Sequence, residues 1–326
     1  MIDFLIDDLL RRGWLYSVTG NTGHGKTAIA VPVSLSVADA LQICGHQCQQ
    51  GQVLYIAGEN ADDVRVRFVA ALERMTVSTS ALDRVHVIDQ SFLLNERLVE
   101  LCALIERLDV ALVIVDTDQA VSLSGADDEN SNGDRMAHAK QLRQLTRCSS
   151  FPTVIDLCHP RKGAQKDDLV PRGGSAFINE VDGNLRLWRD GEVAELFSDP
   201  NKFRGAPVSI SFRSESVQTA AIKDTKDRMI PVPFFRPIDD HEAARTADAQ
   251  WRDENRLLFF MNENPNGTQA QWAERCGWLS DDNKPRKDKV NRLLQALSRS
   301  PQIMVQKGRS GRWRLTSAGL KEATKP

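Results

Sequence analysis

Short apolar runs alternate with longer stretches of helical periodicity from about residue 14 to residue 189. The runs lack polar alternation, which is the pattern of strands whose two faces are both covered by helices. The stretches between them repeat apolar residues every three or four positions, as an amphipathic helix does. This succession predicts an α/β fold with a mostly parallel sheet. The predicted strands are Trp14–Thr19, Val53–Ala57, Val85–Ile88, Ala111–Asp116, Thr153–Cys158 and Asn184–Leu187, and the predicted helices are Thr27–Ile43, Ala61–Arg74, Leu94–Leu108 and Arg135–Arg147.

The pattern changes near residue 199. Prolines interrupt β-type pieces such as Val208–Phe212, and a proline in a sheet is confined to an edge because it cannot donate to the ladder. We therefore predict a core domain over residues 1–198, followed by an edge β extension and linker over residues 199–248. The prolines of this segment are Pro200, Pro207, Pro231, Pro233 and Pro237.

Residues 249–326 predict a smaller domain. Three helical segments are followed by two short β-type pieces that flank a basic turn, which is the winged helix-turn-helix arrangement. Thr268 is placed to cap the second helix, and Gly277 follows its end. The predicted helices are Trp251–Met261, Gln269–Arg275 and Lys289–Ser298, and the predicted strands of the wing are Gln302–Val305 and Trp313–Thr316.

Charge is divided unevenly along the 326 residues. The whole chain has a formal charge of −2, but residues 251–326 carry 15 Lys and Arg against 8 Asp and Glu, whereas residues 1–250 carry 27 against 36. A basic segment on an acidic body indicates a polyanionic partner, although a solvated charged surface is the plain alternative.

Composition predicts a cytoplasmic protein without a membrane span. Acids stand at the N-terminus where a signal peptide carries basic residues, and no apolar run is long enough to cross a bilayer. The six cysteines have no framework spacing, which suits a reducing compartment. Cys44, His46 and Cys48 cluster without a further ligand pair, so we predict no zinc site there.

One motif carries the chemistry of the chain. The segment Gly20-Asn21-Thr22-Gly23-His24-Gly25-Lys26-Thr27 follows a predicted strand and opens a predicted helix. In such a loop the glycines let backbone N–H groups face phosphates, and the helix offers its positive end. Lys26 is expected to reach the β- and γ-phosphates of ATP, and the Thr27 hydroxyl to bind Mg²⁺.

Two carboxylates follow predicted strands. Asp116 ends the run Ala111–Asp116 and is expected to hold the Mg²⁺ shell through water, with Asp118 as the alternative. Glu59 follows the run Val53–Ala57, where a carboxylate can orient or deprotonate the attacking water. The alternative for Glu59 is an acid that stabilises the start of the helix Ala61–Arg74.

Further polar residues follow the strand Thr153–Cys158. His159 is placed to contact the γ-phosphate and report its hydrolysis to the next loop. Arg172 is followed by two glycines and can be presented at full reach.

The order of these motifs resembles the RepA-like branch of RecA-type ATPases of plasmids and phages, over roughly residues 10–190. The resemblance implies a RecA-like P-loop NTPase core and homo-oligomeric rings, commonly hexamers, whose best-known members are DNA helicases. It further implies that Glu59 is the catalytic base, Asp116 the Walker B acid, His159 the phosphate sensor and Arg172 an arginine finger acting across a subunit interface. Asp128-Glu129-Asn130 resembles the acidic loop that many members carry after the Walker B strand.

Basic residues gather at the two positions where a winged helix contacts DNA. The first group surrounds the start of the third helix, which would enter a major groove, and the second lies on the wing, beside the backbone. A winged helix can instead bind protein. The candidate DNA contacts are Arg286, Lys287, Lys289, Arg292, Arg309 and Arg312.

Three functions are compatible with these features. The first is an ATP-hydrolysing, DNA-dependent ATPase, a RepA-like replicative helicase or a helicase-related protein. The second is a DNA-binding regulator switched by ATP without unwinding. The third is a small-molecule kinase, which Glu59 and the segment from His159 to Arg172 favour least because they suit attack by water.

Overall fold

The computed structural model describes residues 3–117, 132–172, 175–280, 282–308 and 311–323. The chain forms two compact units: residues 1–189 with 194–240, and residues 190–193 with 241–326. The first unit contains two hydrophobic cores and the second unit contains one, among the described residues.

A nine-stranded sheet organises the first unit, in the order β13-β12-β11-β10-β3-β9-β8-β6-β7. The pairs β10–β3, β3–β9, β9–β8, β8–β6 and β6–β7 are all parallel. The predicted α/β fold with a mostly parallel sheet is therefore confirmed. The strands are β1 (Phe4–Ile6), β2 (Leu10–Arg11), β3 (Leu15–Gly20), β4 (Gln42–Ile43), β5 (His46–Gln47), β6 (Gln52–Ala57), β7 (Val85–Ile88), β8 (Val110–Asp116), β9 (Thr153–Cys158), β10 (Gly183–Asp190), β11 (Val193–Phe203), β12 (Ser209–Val217) and β13 (Val232–Ile238).

Helices cover both faces of this sheet. Two cores result, one on the side of α1 and α2 and one on the side of α3, α4 and α5, because the central strands β3, β8 and β9 are fully buried. The helices are α1 (Lys26–Ala38), α2 (Ala61–Arg74), α3 (Leu94–Leu108), α4 (Asn132–Leu145) and α5 (Ser175–Glu180), with short 3₁₀ helices at Thr79–Arg84 and Lys166–Asp168.

Helix α1 is shorter than predicted, and the extension to Ile43 is wrong. It ends at Ala38, and Gln42–Ile43 instead pairs antiparallel with His46–Gln47. Cys44 and Gly45 between them both have positive φ, at 49° and 86°, which is the backbone of a tight two-residue hairpin turn.

The edge extension is part of the main sheet. Strand β13 pairs antiparallel with β12, and its Phe234 and Phe235 side chains are buried in the α1–α2 core. The linker predicted to reach residue 248 is wrong in its last part, because residues 240–263 form a helix. Helical propensity in Ala243, Ala244 and Ala247 continues into the predicted first helix of the smaller domain, so no break occurs there.

The second unit contains four helices and a two-stranded antiparallel sheet among its described residues. Thr268 caps the second helix through a capping box with Gln271, as predicted: its hydroxyl accepts from Gln271 N and its own N–H donates to Gln271 Oε1. Val290, Leu293, Leu294 and Leu297 of the third helix are buried in the core of the unit. The elements are α6 (Asp240–Glu263), α7 (Gln269–Arg275), α8 (Lys287–Arg299), β14 (Val305–Lys307), β15 (Trp313–Leu315) and α9 (Ser317–Ala323).

Candidate functional site

The glycine-rich loop connects β3 to α1 at the carboxyl edge of the sheet, where ligands of open α/β sheets bind. Gly23 and Gly25 have φ of 82° and 97°, which an L side chain rarely adopts. Gly25 is also the N-cap of α1. The backbone of the loop therefore has the curl and the helix end that phosphate binding requires.

Lys26 turns back over this loop. Its ammonium donates to the carbonyl oxygen of Gly20 at 2.8 Å and lies 3.3 Å from His159 Nδ1. His159 Nδ1 is also 3.4 Å from the Thr22 hydroxyl. The structure thus brings His159, which is 133 residues further along the chain, to the lysine that is expected to hold the terminal phosphates.

Asp116 lies at the end of β8, facing the start of α1. Its Oδ1 accepts from the Thr27 hydroxyl at 3.2 Å, and its Oδ2 accepts from the Tyr55 hydroxyl at 2.7 Å. Tyr55 is completely buried on β6, so its hydroxyl has the carboxylate as its partner in the interior. The peptide bond from Asp116 to Thr117 is cis.

Burial raises the pKa of the Asp116 carboxyl. The hydrogen bonds from Tyr55 and Thr27 and the charge of Lys26 lower this pKa, whereas the charge of Glu59 raises it. A buried carboxylate in these surroundings is stabilised by any further positive charge, because desolvation is the largest effect acting on it. The hydroxyl of Thr27 and the carboxylate of Asp116 are the hard oxygen donors that Mg²⁺ prefers. The residues present therefore fit a magnesium ion held by few protein oxygens.

Glu59 is exposed and lies next to the same strand end. Its Oε2 accepts from the Thr117 hydroxyl at 3.3 Å, and the N–H of Gly58 donates to the carbonyl of Asp116 at 3.0 Å. The helix that follows is capped by Asn60, whose side chain accepts from Asp63 N at 3.1 Å. The start of α2 therefore has its side-chain cap in Asn60, while the carboxylate of Glu59 contacts Thr117.

His159 is connected through the backbone to Arg172. The N–H of Arg172 donates to the carbonyl oxygen of His159 at 2.8 Å, and Pro160 bridges Pro171 in an antiparallel pair. The intervening loop is therefore pinned at both ends. Within it Lys166 pairs with Glu195 at 2.6 Å, so this cation is engaged in the first unit.

Aromatic side chains that the sequence did not single out surround the loop. His24 contacts Trp188 edge to face with 4.9 Å between ring centroids, and its Nδ1 accepts from Arg189 N at 3.2 Å. A Cβ on Gly25 would lie 2.7 Å from the Phe235 ring. Trp188 and Phe235 come from β10 and β13, so no local motif could have placed them here.

The candidate DNA contacts of the second unit differ in exposure and in their ion pairs with acidic residues. Lys289 pairs with Asp253 at 2.5 Å, lies 4.5 Å from the Trp278 ring centroid, and is only 19% exposed. Arg286 pairs with Asp288 at 3.1 Å, and Arg292 pairs with Glu192 at 2.8 Å. Lys287 and Arg312 are exposed. Arg309, Asp118 and the acidic segment Asp128-Glu129-Asn130 lie outside the described residues.

A fold of this topology with this loop, lysine and strand-end aspartate defines a P-loop ATPase. A family model described as an AAA domain matches residues 2–165, half of the chain. The chain belongs to this AAA domain family. No curated protein sequence matches it.

Solved structures similar to this chain include the following three proteins. The KaiC-like protein PH0186 of Pyrococcus horikoshii OT3 is 14% identical with a TM-score of 0.45, covering 70% of this chain and 93% of that one. The RadB recombinase is 18% identical with a TM-score of 0.46, covering 62% and 87%. A DnaB-like replicative helicase, solved for its interactions with primase, is 16% identical with a TM-score of 0.47, covering 62% and 55%.

Within the described residues, no helix is long and apolar enough to cross a membrane.

Proposed function

We propose that this chain is a RecA-like, DNA-dependent ATPase of the RepA-like branch, a replicative helicase or a helicase-related protein, acting in the cytoplasm. ATP with Mg²⁺ binds to the loop Gly20–Thr27, with Thr27 and Asp116 holding the ion directly and through water. Glu59 orients the attacking water. Ring assembly as a homo-oligomer, a hexamer in the form most common among such proteins, brings Arg172 to the site of a neighbouring subunit.

The contact between Lys26 and His159 carries this proposal. Lys26 Nζ and His159 Nδ1 are 3.3 Å apart, and the carbonyl of His159 accepts from Arg172 N at 2.8 Å. A group bound at Lys26 therefore has a side chain that can sense it and a backbone hydrogen bond that leads to Arg172. Loss of the γ-phosphate removes charge at one end of this chain of contacts, which is how nucleotide hydrolysis is converted into movement.

The role of Glu59 is supported by its position. It lies beside Asp116 through the contact with Thr117, and the cap of α2 is formed by Asn60. An exposed carboxylate at this edge has access to water, which a nucleophile-orienting residue needs.

DNA binding by the second unit is supported by its order of elements and by its charge. Helix α8 buries one face and presents Lys287 at its start. Arg312 is exposed just before β15, and Arg314 is exposed on that strand. We propose that this unit is a winged helix-turn-helix module in which Lys287 and Arg312 contact phosphates. Arg286 and Arg292 can exchange their acidic partners for phosphates, because surface ion pairs are worth little.

The proposal is tested by measuring ATP turnover in three conditions: without DNA, with single-stranded DNA and with duplex DNA. We expect single strands to raise turnover severalfold, Glu59→Gln to reduce it by about 100-fold or more, and Asp62→Asn to leave it unchanged. Asp62 is the matched control because it is an exposed acid in the first turn of α2.

Turnover stimulated only by duplex DNA, without displacement of a labelled strand, would contradict the helicase and favour the ATP-switched regulator. Turnover that Glu59→Gln leaves intact would remove Glu59 from the reaction.

A further inference from the structure

A polar cleft lies in the first unit, at the edge of the sheet opposite the ATP site. It has a volume of about 510 Å³, and its lining includes Gly13 just before β3 and Asp182 just before β10. Both positions are at the amino ends of parallel strands, whereas Gly20–Thr27 follows the carboxyl end of β3. The cleft is therefore separate from the nucleotide site, and its volume suits a nucleotide-sized ligand.

Positive charge dominates this cleft. Arg143, Arg147 and Arg204 line it, and Lys202 lies beside it, donating to the carbonyl of the lining residue Asn179 at 3.2 Å. Among the lining residues three cations therefore face two acids, Glu180 and Asp182, and Lys202 adds a further positive charge beside them.

Asp182 and Arg143 belong to the fold. Asp182 is buried, accepts from the N–H of Leu15 at 3.0 Å, and pairs with Arg143, which also donates to the carbonyl of Glu180. Arg204 is more weakly engaged, at 3.5 Å from Asp182 and with its side chain 65% exposed. Arg147 is exposed. Arg147 and Arg204 are therefore the cations of the cleft that can meet a ligand.

The neighbouring cations affect the pKa of Lys202. Burial lowers the pKa of its ammonium, and the neighbouring charge of Arg204 lowers it further. An anion bound in the cleft would reverse this second effect.

An exposed aromatic ring completes the cleft. Phe151 is 59% exposed and has a φ of 47°. Its carbonyl accepts from Gly13 N at 2.8 Å, which fixes the backbone that presents the ring. Proteins bind single-stranded nucleic acids with exposed aromatic rings beside arginines, because bases stack on the ring while phosphates contact the cations.

We propose that this cleft binds single-stranded nucleic acid, with Phe151 stacking on a base and Arg147 and Arg204 contacting phosphates. The proposal is independent of the DNA contacts proposed for the second unit and of the reaction at the ATP site.

Binding of fluorescein-labelled dT20 to the full chain, followed by anisotropy over a range of salt concentrations, tests it. A background variant, Lys287→Ala/Arg312→Ala/Arg314→Ala, reduces the contribution of the second unit. In that background we expect Arg147→Ala/Arg204→Ala to weaken binding on the order of 10-fold near 0.1 M salt and to reduce the log–log salt slope by about 1.4, or about 0.7 per lost phosphate contact.

Two further variants test the stacking. Phe151→Ala should weaken binding by about 5-fold or more, and Phe151→Tyr should retain it because a tyrosine ring stacks equally well. ATP turnover without DNA should be unchanged in all cleft variants, which shows that the fold is intact.

The matched control is Arg74→Ala/Lys223→Ala, which removes the same charge from exposed positions away from the cleft. Equal affinity and equal salt slope in the cleft and control variants would overturn the proposal. Binding of AMP to the cleft, with strand affinity unaffected by the cleft variants, would also overturn it, since the site would then take a free nucleotide.

Discussion

Asp116 is a carboxylate held between two hydroxyl groups in the interior of the protein. Thr27 was expected as its neighbour because both belong to the predicted magnesium site. Tyr55 was not, because nothing in the run Val53–Ala57 distinguishes a tyrosine that packs in a core from one that donates to a carboxylate. The contact arises from the parallel pairing of β6 with β8, which places Tyr55 beside Ile114 and Ala57 beside Asp116.

Tyr55→Phe should show what this hydroxyl does. It removes one hydrogen bond that lowers the pKa of Asp116, so the pKa of this carboxyl rises further above its usual value. A larger fraction of the enzyme then carries protonated Asp116 at mildly acidic pH. We expect the acidic limb of the pH profile of kcat/KM for ATP to move to higher pH, and the apparent affinity for Mg²⁺ to fall.

The free energy of unfolding of the same variant should fall by about 1.5–3 kcal/mol, the range for the loss of a hydrogen bond to a charged group. Phe68→Leu, which alters the ring packed edge to face on Tyr55 at 5.7 Å, is the control for packing alone. A Tyr55→Phe profile that coincides with that of Phe68→Leu would show that the hydroxyl has no influence on Asp116.

At the scale of elements, the phosphate loop depends on a strand far away in sequence. Gly25 has a φ of 97°, and a Cβ at this position would lie 2.7 Å from the ring of Phe235 on β13. Gly23 has a φ of 82° with open space around it. Two glycines of one motif are therefore required for different reasons, one by backbone conformation alone and one by packing as well.

Gly25→Ala should consequently cost more than Gly23→Ala. The left-handed backbone costs about 1–2 kcal/mol in either variant, and overpacking against Phe235 adds about 1–3 kcal/mol at Gly25. Chemical denaturation measures both losses. The double variant Gly25→Ala/Phe235→Leu should recover part of the second loss, and a strictly additive double variant would show that the ring does not press on this position.

At the scale of the whole molecule, the ATPase is proposed to work as an assembly. The described first unit holds Lys26, Thr27, Asp116, Glu59 and His159 around one edge of its sheet, and Arg172 is joined to that edge through the carbonyl of His159. A finger acting across an interface predicts that two inactive variants can complement each other.

Mixing Lys26→Ala with Arg172→Ala tests this arrangement. Lys26→Ala should lose nucleotide binding, whereas Arg172→Ala should bind ATP and hydrolyse it about 1,000-fold more slowly, the usual cost of a missing arginine finger. In mixed assemblies an intact site of one subunit can meet the Arg172 of another, so turnover should partly return. A mixture that stays as inactive as its components at every ratio would argue against a finger in trans.

The pattern of apolar residues determined the strands, most helices and the sheet class of this protein. A strand that is buried on both faces is apolar at consecutive positions, and this can be read directly from the sequence. The bounds of α2, α3, β7 and β9 follow from that pattern alone. The position of the phosphate loop, Asp116 and Glu59 at one edge was likewise predictable, since each lies at or just beyond the end of a strand and the carboxyl ends of parallel strands share one edge.

Tertiary structure decided the rest. Tyr55 meets Asp116, Phe235 lies against Gly25, and Arg204 lines the same cleft as Phe151. Each of these pairs joins segments that are far apart in sequence, and the local pattern of apolar residues does not determine which faces of distant elements meet. Two local elements were also missed. At the Cys44–Gly45 hairpin the sequence signal for the end of the preceding helix was weak, and over residues 240–248 no signal separated the linker from the helix that follows. Sequence determines what each segment can bury, and only packing decides which side chains share the space that remains.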